Sequence, residues 1–89
     1  MILVDALRVY STQLKHKTWC HMVSDTSEEE LHTFAARLGL KRAWFQCRPQ
    51  ASVAHYDLTP PRRTLAVQLG AVEVSSRELV QRNYDRKLK

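Results

Sequence analysis

Nine consecutive residues hold most of the chemistry open to this chain: His55-Tyr56-Asp57-Leu58-Thr59-Pro60-Pro61-Arg62-Arg63. They set an imidazole, a phenol and a carboxylate before a helix start and two guanidiniums just after it. Two other segments carry matching groups, one ending on Asp5 and one running from Cys20-His21 to Asp25. Asp5, His21, His55 and Asp57 together supply two imidazoles and two carboxylates, a donor set for a divalent ion such as Zn²⁺, Mn²⁺ or Mg²⁺. Arg62 and Arg63 lie in the first turn of a helix, where a cation opposes the macrodipole and gains from a nearby anion. They are the expected anion-binding pair. Asp25, His32 and Tyr56 are the expected supporting groups around the metal ligands.

None of these spacings is diagnostic alone. His-x-Asp is a weak signal beside His-Glu-x-x-His or paired Cys-x-x-Cys. Alternation along a strand turns Cys20 away from His21, which argues against a shared ion and against a Cys–His nucleophile pair. The chain has no phosphate-binding loop, dinucleotide glycine fingerprint or Gly-x-Ser-x-Gly elbow. Each candidate also has a structural alternative. Asp25 or Asp57 can cap a helix, His21 can be a satisfied core histidine between Trp19 and Val23, and His32 can border an apolar helix stripe. Asp5 is harder to explain that way, because a carboxylate closing a buried strand needs a guanidinium, a metal or backbone N–H groups.

The elements that must position these groups follow from pattern. Met1 to Asp5 is a short apolar run, the mark of a buried strand that begins with no leader before it. Leu7 to Lys17 reads as a basic, exposed loop with room for one helical turn. Thr18 to Ser24 is strand-like, with Trp19, His21 and Val23 on one face and Cys20, Met22 and Ser24 on the other. Thr26 with Glu29, or Ser27 with Glu30, opens a helix whose Leu31, Phe34, Ala35 and Leu38 form its core face, and Gly39 stops it. Ala43 to Gln46 reads as a strand, Cys47 to Ser52 as a loop, and Val53 to Leu58 as strand or extended chain. Thr59 and Pro60 start a second helix that ends at Gly70. Ala71 to Val74 is a strand, and Ser75 with Glu78 opens a last helix that frays from Asn83.

That order predicts a single small α/β domain with a mostly parallel short sheet and two to three helices. The domain covers 1–83, and 84–89 form a basic C-terminal tail. Leu3, Val23, Leu31, Phe34, Leu38, Leu65, Leu69 and Val72 are the expected core. Ligands of open parallel sheets bind outside the carboxyl ends of the strands, so Asp5, Asp25, His55 and Asp57 map to one edge.

Composition narrows the partners. At 89 residues with a net charge of +5, the chain favours nucleic acid, a phosphate-containing ligand or an acidic host-protein surface. Much of that charge sits in the last eight residues, at Arg82, Arg86, Lys87 and Lys89. No aromatic-rich reading surface or recognition helix is evident, so any nucleic-acid binding should be electrostatic. Cys20 and Cys47 have no Cys-x-x-Cys spacing, and no run of about 18 apolar residues occurs. A cytoplasmic protein with reduced thiols and no membrane contact is expected.

Val4-Asp5, Cys20-His21-Met22, Ser24-Asp25-Thr26, Glu29-Glu30-Leu31-His32, Leu38-Gly39, Trp44-Phe45-Gln46, His55-Tyr56-Asp57, Arg63 and Gly70-Ala71-Val72-Glu73 resemble, in order, a small bacterial and phage family. It is catalogued as domain of unknown function 4031. The resemblance runs from about Met1 to Val80 and implies a stand-alone domain, often phage-encoded or from a prophage-bearing genome, with no activity attached. The motif residues of that family are the polar ones already singled out. Members often carry a second acid after the first strand, where this chain has Ala6. The loop before His55, from Cys47 to Ala54, is also longer than usual. If the second acid completes a metal site, this chain lacks it.

Overall fold

Alternation along the longest strand, Thr18–Ser24 (β3), divides the molecule into two packed faces. In the computed structural model, which describes residues 1–9, 18–47, 49, 51 and 53–87, Cys20 and Met22 are buried in one hydrophobic cluster and Val23 in another. Ile2–Val4 (β1) pairs antiparallel with β3, setting Leu3 opposite Val23 and Val4 opposite Met22. Tyr56–Leu58 (β4) also pairs antiparallel with β3, and Met22 faces Tyr56 there. Met22 has partners on both sides, so β1 and β4 flank opposite edges of β3. Arg8–Val9 (β2) pairs antiparallel with Thr18 and Trp19, and Val72–Glu73 (β5) lies parallel to β1.

The result is a small α/β domain with a five-stranded mixed sheet and three α-helices among the described residues. The expectation of a mostly parallel sheet is corrected. Among the described residues only β1 with β5 is parallel, since β1, β2 and β4 each pair antiparallel with β3. The expected loop from Leu7 thus contains a strand, and its remainder, 10–17, lies outside the described residues, as do 48, 50, 52, 88 and 89. The expected strand at Ala43 to Gln46 is a 3-10 turn at Arg42–Trp44, with Gln46 making one isolated bridge to His55. Short apolar runs do not separate a strand from a helical turn.

Local chemistry sets the helices. Ser27 caps Glu28–Arg37 (α1), its hydroxyl accepting from the Glu30 N–H at 3.0 Å. The reciprocal half of the capping box is absent, since the Glu30 carboxylate takes the Ser24 hydroxyl at 2.6 Å instead. Thr59 and Pro60 begin Pro60–Gln68 (α2) as expected. Leu31, Phe34, Ala35 and Leu38 pack with Ala66 of α2 against Ile2, Val4, Cys20, Met22, Tyr56 and Leu58. Ser76–Lys87 (α3) covers the other face, where Leu79 meets Leu3 and Val23. Leu65 and Val72, expected in the core, are 38% and 39% exposed. The small Ala66 is the contact residue of α2, and Val72 sits on a two-residue edge strand. Leu69 is partly buried against the core. Helix α3 does not fray at Asn83, which is buried, but continues to Lys87. No helix of the described residues is long and apolar enough to cross a membrane.

Candidate metal centre

Register brings the polar residues together. The Asp5 N–H donates to the His21 carbonyl at 3.3 Å, so Asp5 follows Val4 into line opposite His21. Asp57 stands opposite His21 on the other edge of β3. Asp5, His21 and Asp57 therefore form a row across three strands, on the face shared with Leu3 and Val23. His55, two residues before Asp57, points to that face as well. The meeting place is a row across the sheet face rather than the carboxyl edge that a parallel sheet would have given.

Asp5 is 0% exposed and fully engaged. Three steps along the chain from Asp5 to Arg8 match two from His21 to Trp19, so one extra residue is accommodated as a β-bulge. There the ladder is rewired. The His21 N–H donates to Asp5 Oδ1 at 2.6 Å, and the Asp5 carbonyl accepts from Arg63 Nε at 2.8 Å. Asp5 Oδ2 accepts from His21 Nδ1 and from the Ser76 hydroxyl, each at 2.8 Å. Burial pushes the Asp5 carboxyl up, but the bonds from His21 and Ser76 together hold it below the ordinary carboxylate range.

The two imidazoles meet edge to face, with centroids 4.9 Å apart and planes at 81°. His55 Nδ1 donates to the Val53 carbonyl at 2.6 Å, and its Nε2 lies 3.3 Å from Asp57 Oδ1. The second Asp57 oxygen accepts from the Gln46 side-chain amide. Burial lowers the His55 pKa, yet the Asp57 carboxylate and the Val53 carbonyl outweigh it, and the net shift is upward. Burial raises the Asp57 carboxyl, while His55 and Gln46 bring it below its ordinary value. One ligand atom from each of His21, His55 and Asp57 lies within 4.8 Å of the others, and among the described residues no other such group of three occurs.

Each of these three side chains is oriented by a second contact. Asp5 holds His21 through Nδ1, the Val53 carbonyl holds His55 through Nδ1, and Gln46 holds Asp57 through one oxygen. Nε2 of each ring and the other Asp57 oxygen are then the atoms a metal would take, and outer contacts of this kind fix ligand geometry and raise basicity. Asp5 stands behind His21 as its orienting carboxylate, outside the group of three.

The remaining sequence candidates sit elsewhere. Asp25 lies past the end of β3, 3.0 Å from the Met1 amino group and 2.6 Å from Arg82. His32 bonds the Tyr56 hydroxyl at 2.9 Å, with Phe45 beside its ring at 4.5 Å, all on the opposite sheet face. Arg63 is held by the Asp5 carbonyl and by Glu73 at 2.8 Å. Arg62 lies over the Trp44 ring and donates to the Leu38 carbonyl at 3.3 Å. The Cys20 thiol is pushed up to about 12, by burial first and then by the Asp5 charge, which disfavours the thiolate that a nucleophile needs. Gln46 and Ser76 were not foreseen as site residues. Gln46 belongs to the Trp44-Phe45-Gln46 motif, which was the available signal; Ser76 carries none.

Two cavities flank the cluster. One of about 370 Å³ is lined by His21, His55, Ser76, Leu79 and Val80, and one of about 550 Å³ by Trp19, Trp44, Gln46, Asp57, Thr59 and Arg62. A family model described as a protein of unknown function (DUF4031) matches residues 2–86. No curated protein and no solved structure matches the chain.

Proposed function

The chain belongs to this family of unknown function, whose model spans nearly all of it, and from that premise we propose that it is a divalent-metal-dependent hydrolase, nuclease-like, acting on a phosphate-containing substrate. The observation that carries this reading is the grouping of His21, His55 and Asp57 within 4.8 Å, each side chain pinned by a further hydrogen bond. Two imidazoles and one carboxylate suit Zn²⁺ or Mn²⁺ better than Mg²⁺, which prefers an all-oxygen shell. A metal there would polarise a phosphoryl oxygen and lower the pKa of a bound water. The chain's own residues do the rest: Asp5 keeps His21 in one tautomer, Gln46 leaves Asp57 one oxygen to give, and Arg62 sets a cation at the adjoining cavity. The net charge of +5 favours an anionic substrate. Free Cys20 and Cys47 fit a cytoplasmic site of action.

A second reading is favoured by Asp5, whose two oxygens are both bonded in a fully buried position. On it, the row is a structural network tying β1, β3 and α3, and the protein is a non-catalytic phage accessory factor that binds nucleic acid or a host protein. Metal analysis separates the two. With Zn²⁺ or Mn²⁺ at about 100 times its dissociation constant, the hydrolase reading expects about 2.7 kcal/mol of added stability, and turnover of a phosphomonoester or phosphodiester. No bound metal and no thermal shift with Zn²⁺, Mn²⁺ or Mg²⁺ would end the first reading.

A further inference from the structure

Both tryptophans of the chain line one cavity, although 25 positions separate Trp19 on β3 from Trp44 in the 3-10 turn. The Trp44 side chain is held out at 45% exposure, where an indole forgoes burial that another flat ring would restore. Two cations attend it, Lys41 Nζ at 5.7 Å and Arg62 Cζ at 5.6 Å from the ring centroid. Leu40 and Ala43 supply apolar wall, and Gln46 gives its amide nitrogen to Asp57, so its amide oxygen is the edge it can offer a ligand. Thr59, the N-cap of α2, lines the same space, and its hydroxyl accepts from no backbone amide of that helix. The volume, about 550 Å³, falls within the range of small-molecule sites.

Asp57 joins this cavity to the metal cluster, lining the one and offering an oxygen to the other. An inorganic anion would use the cations and not the indoles, and an aliphatic ligand would use the indoles and not the cations. A base carrying a phosphate uses both. Resting on the metal-centre reading for its orientation, we infer that the cavity takes a nucleotide, with the base against Trp44 and the phosphate toward Asp57. The base displaces the Arg62 guanidinium from the indole, and the freed cation meets the phosphate. The same unit is offered by a free mononucleotide and by a single-stranded nucleic acid.

Because both tryptophans border the cavity, intrinsic fluorescence reads it directly. AMP, UMP, adenosine, inorganic phosphate and a five-nucleotide single strand are titrated with EDTA present, and then with Zn²⁺. AMP and UMP should quench saturably, and inorganic phosphate should not over the same range. By calorimetry, Trp44→Ala should weaken AMP about tenfold or more and leave zinc affinity unchanged. Arg62→Gln should weaken AMP without weakening adenosine, whose base no longer has a guanidinium to displace from the indole. His55→Ala should lose zinc binding yet keep the metal-free AMP response, so failure of the metal centre and failure of the cavity are read apart. A strand that binds far more tightly than AMP assigns the source as nucleic acid; comparable affinities assign the free nucleotide. Absence of saturable quenching by any nucleotide, equal quenching by inorganic phosphate, or an unaltered AMP affinity in folded Trp44→Ala would overturn the inference.

Discussion

On the metal-centre reading, His55 would have two competing partners, a proton and a metal ion. Asp57 raises its pKa above the usual 6.5, so without metal the proton on Nε2 holds the place that an ion would take. Metal binding must displace that proton, and affinity should rise with pH through the elevated His55 value. Calorimetry in buffers of different ionisation enthalpy should show net proton release on zinc binding, larger near pH 6.5 than near about pH 8. The stability effect has the opposite sign. A raised folded-state pKa stabilises fully below 6.5 and its contribution is lost as pH rises through the folded value. The melting-temperature gap between metal-free wild type and His55→Ala should therefore narrow on going from pH 5.5 to pH 8, both values chosen to bracket it. Asp5→Asn probes orientation: it keeps an acceptor for the His21 N–H but sets an amide against His21 Nδ1–H or Ser76. Metal affinity should fall by about 10–100-fold, with a loss of roughly 1–3 kcal/mol in denaturant unfolding.

At the scale of elements, α1 and α2 contribute unequally. Phe34 is buried in the larger cluster, so Phe34→Ala should cost about 3–5 kcal/mol, a large fraction of the roughly 5–15 kcal/mol that holds a domain together. Leu65→Ala removes a side chain already more than a third exposed and should cost under about 1 kcal/mol. If chemical denaturation gave similar losses for both, the helix phase drawn from Ala66 would be wrong. Gly39, at φ +76, closes α1 in the left-handed region with open space around it. Gly39→Ala should lower stability by about 1–2 kcal/mol through backbone strain alone, while a clash would cost more.

For the molecule as a whole, acid is the weak direction. Asp5, Asp25, Glu30 and Asp57 all sit below their ordinary values, against the upward push of burial, through the hydrogen bonds and cations around them. A depressed carboxyl contributes stability above its unfolded pKa near 4, and that contribution is lost as pH falls through the folded value. Unfolding should therefore steepen below about pH 4, and a protein equally stable at pH 3 and pH 6 would contradict the hydrogen-bonded row. If the chain binds nucleic acid through its net charge of +5, affinity should fall steeply between about 50 and 200 mM salt.

Local signals were sufficient for what depends on neighbours in the chain. A helix start at Thr26 or Ser27, Gly39 and Gly70 as stops, the alternation that buries Cys20 and turns His21 the other way, and the candidates Asp5, His21, His55 and Asp57 were all legible, because each rests on a period or a turn rule spanning a few residues; the fold chose Ser27 as the cap. Strand direction was not, because one residue inserted between Asp5 and Arg8 and the return through β2 are decided by pairing across the sheet. Pairing also sorted the candidates. It set His21 opposite both Asp5 and Asp57, put His32 and Tyr56 behind the sheet, drew Arg63 onto the Asp5 carbonyl, and gathered Trp19 with Trp44. These are contacts between residues far apart in sequence, and only the folded chain fixes which of them share a face.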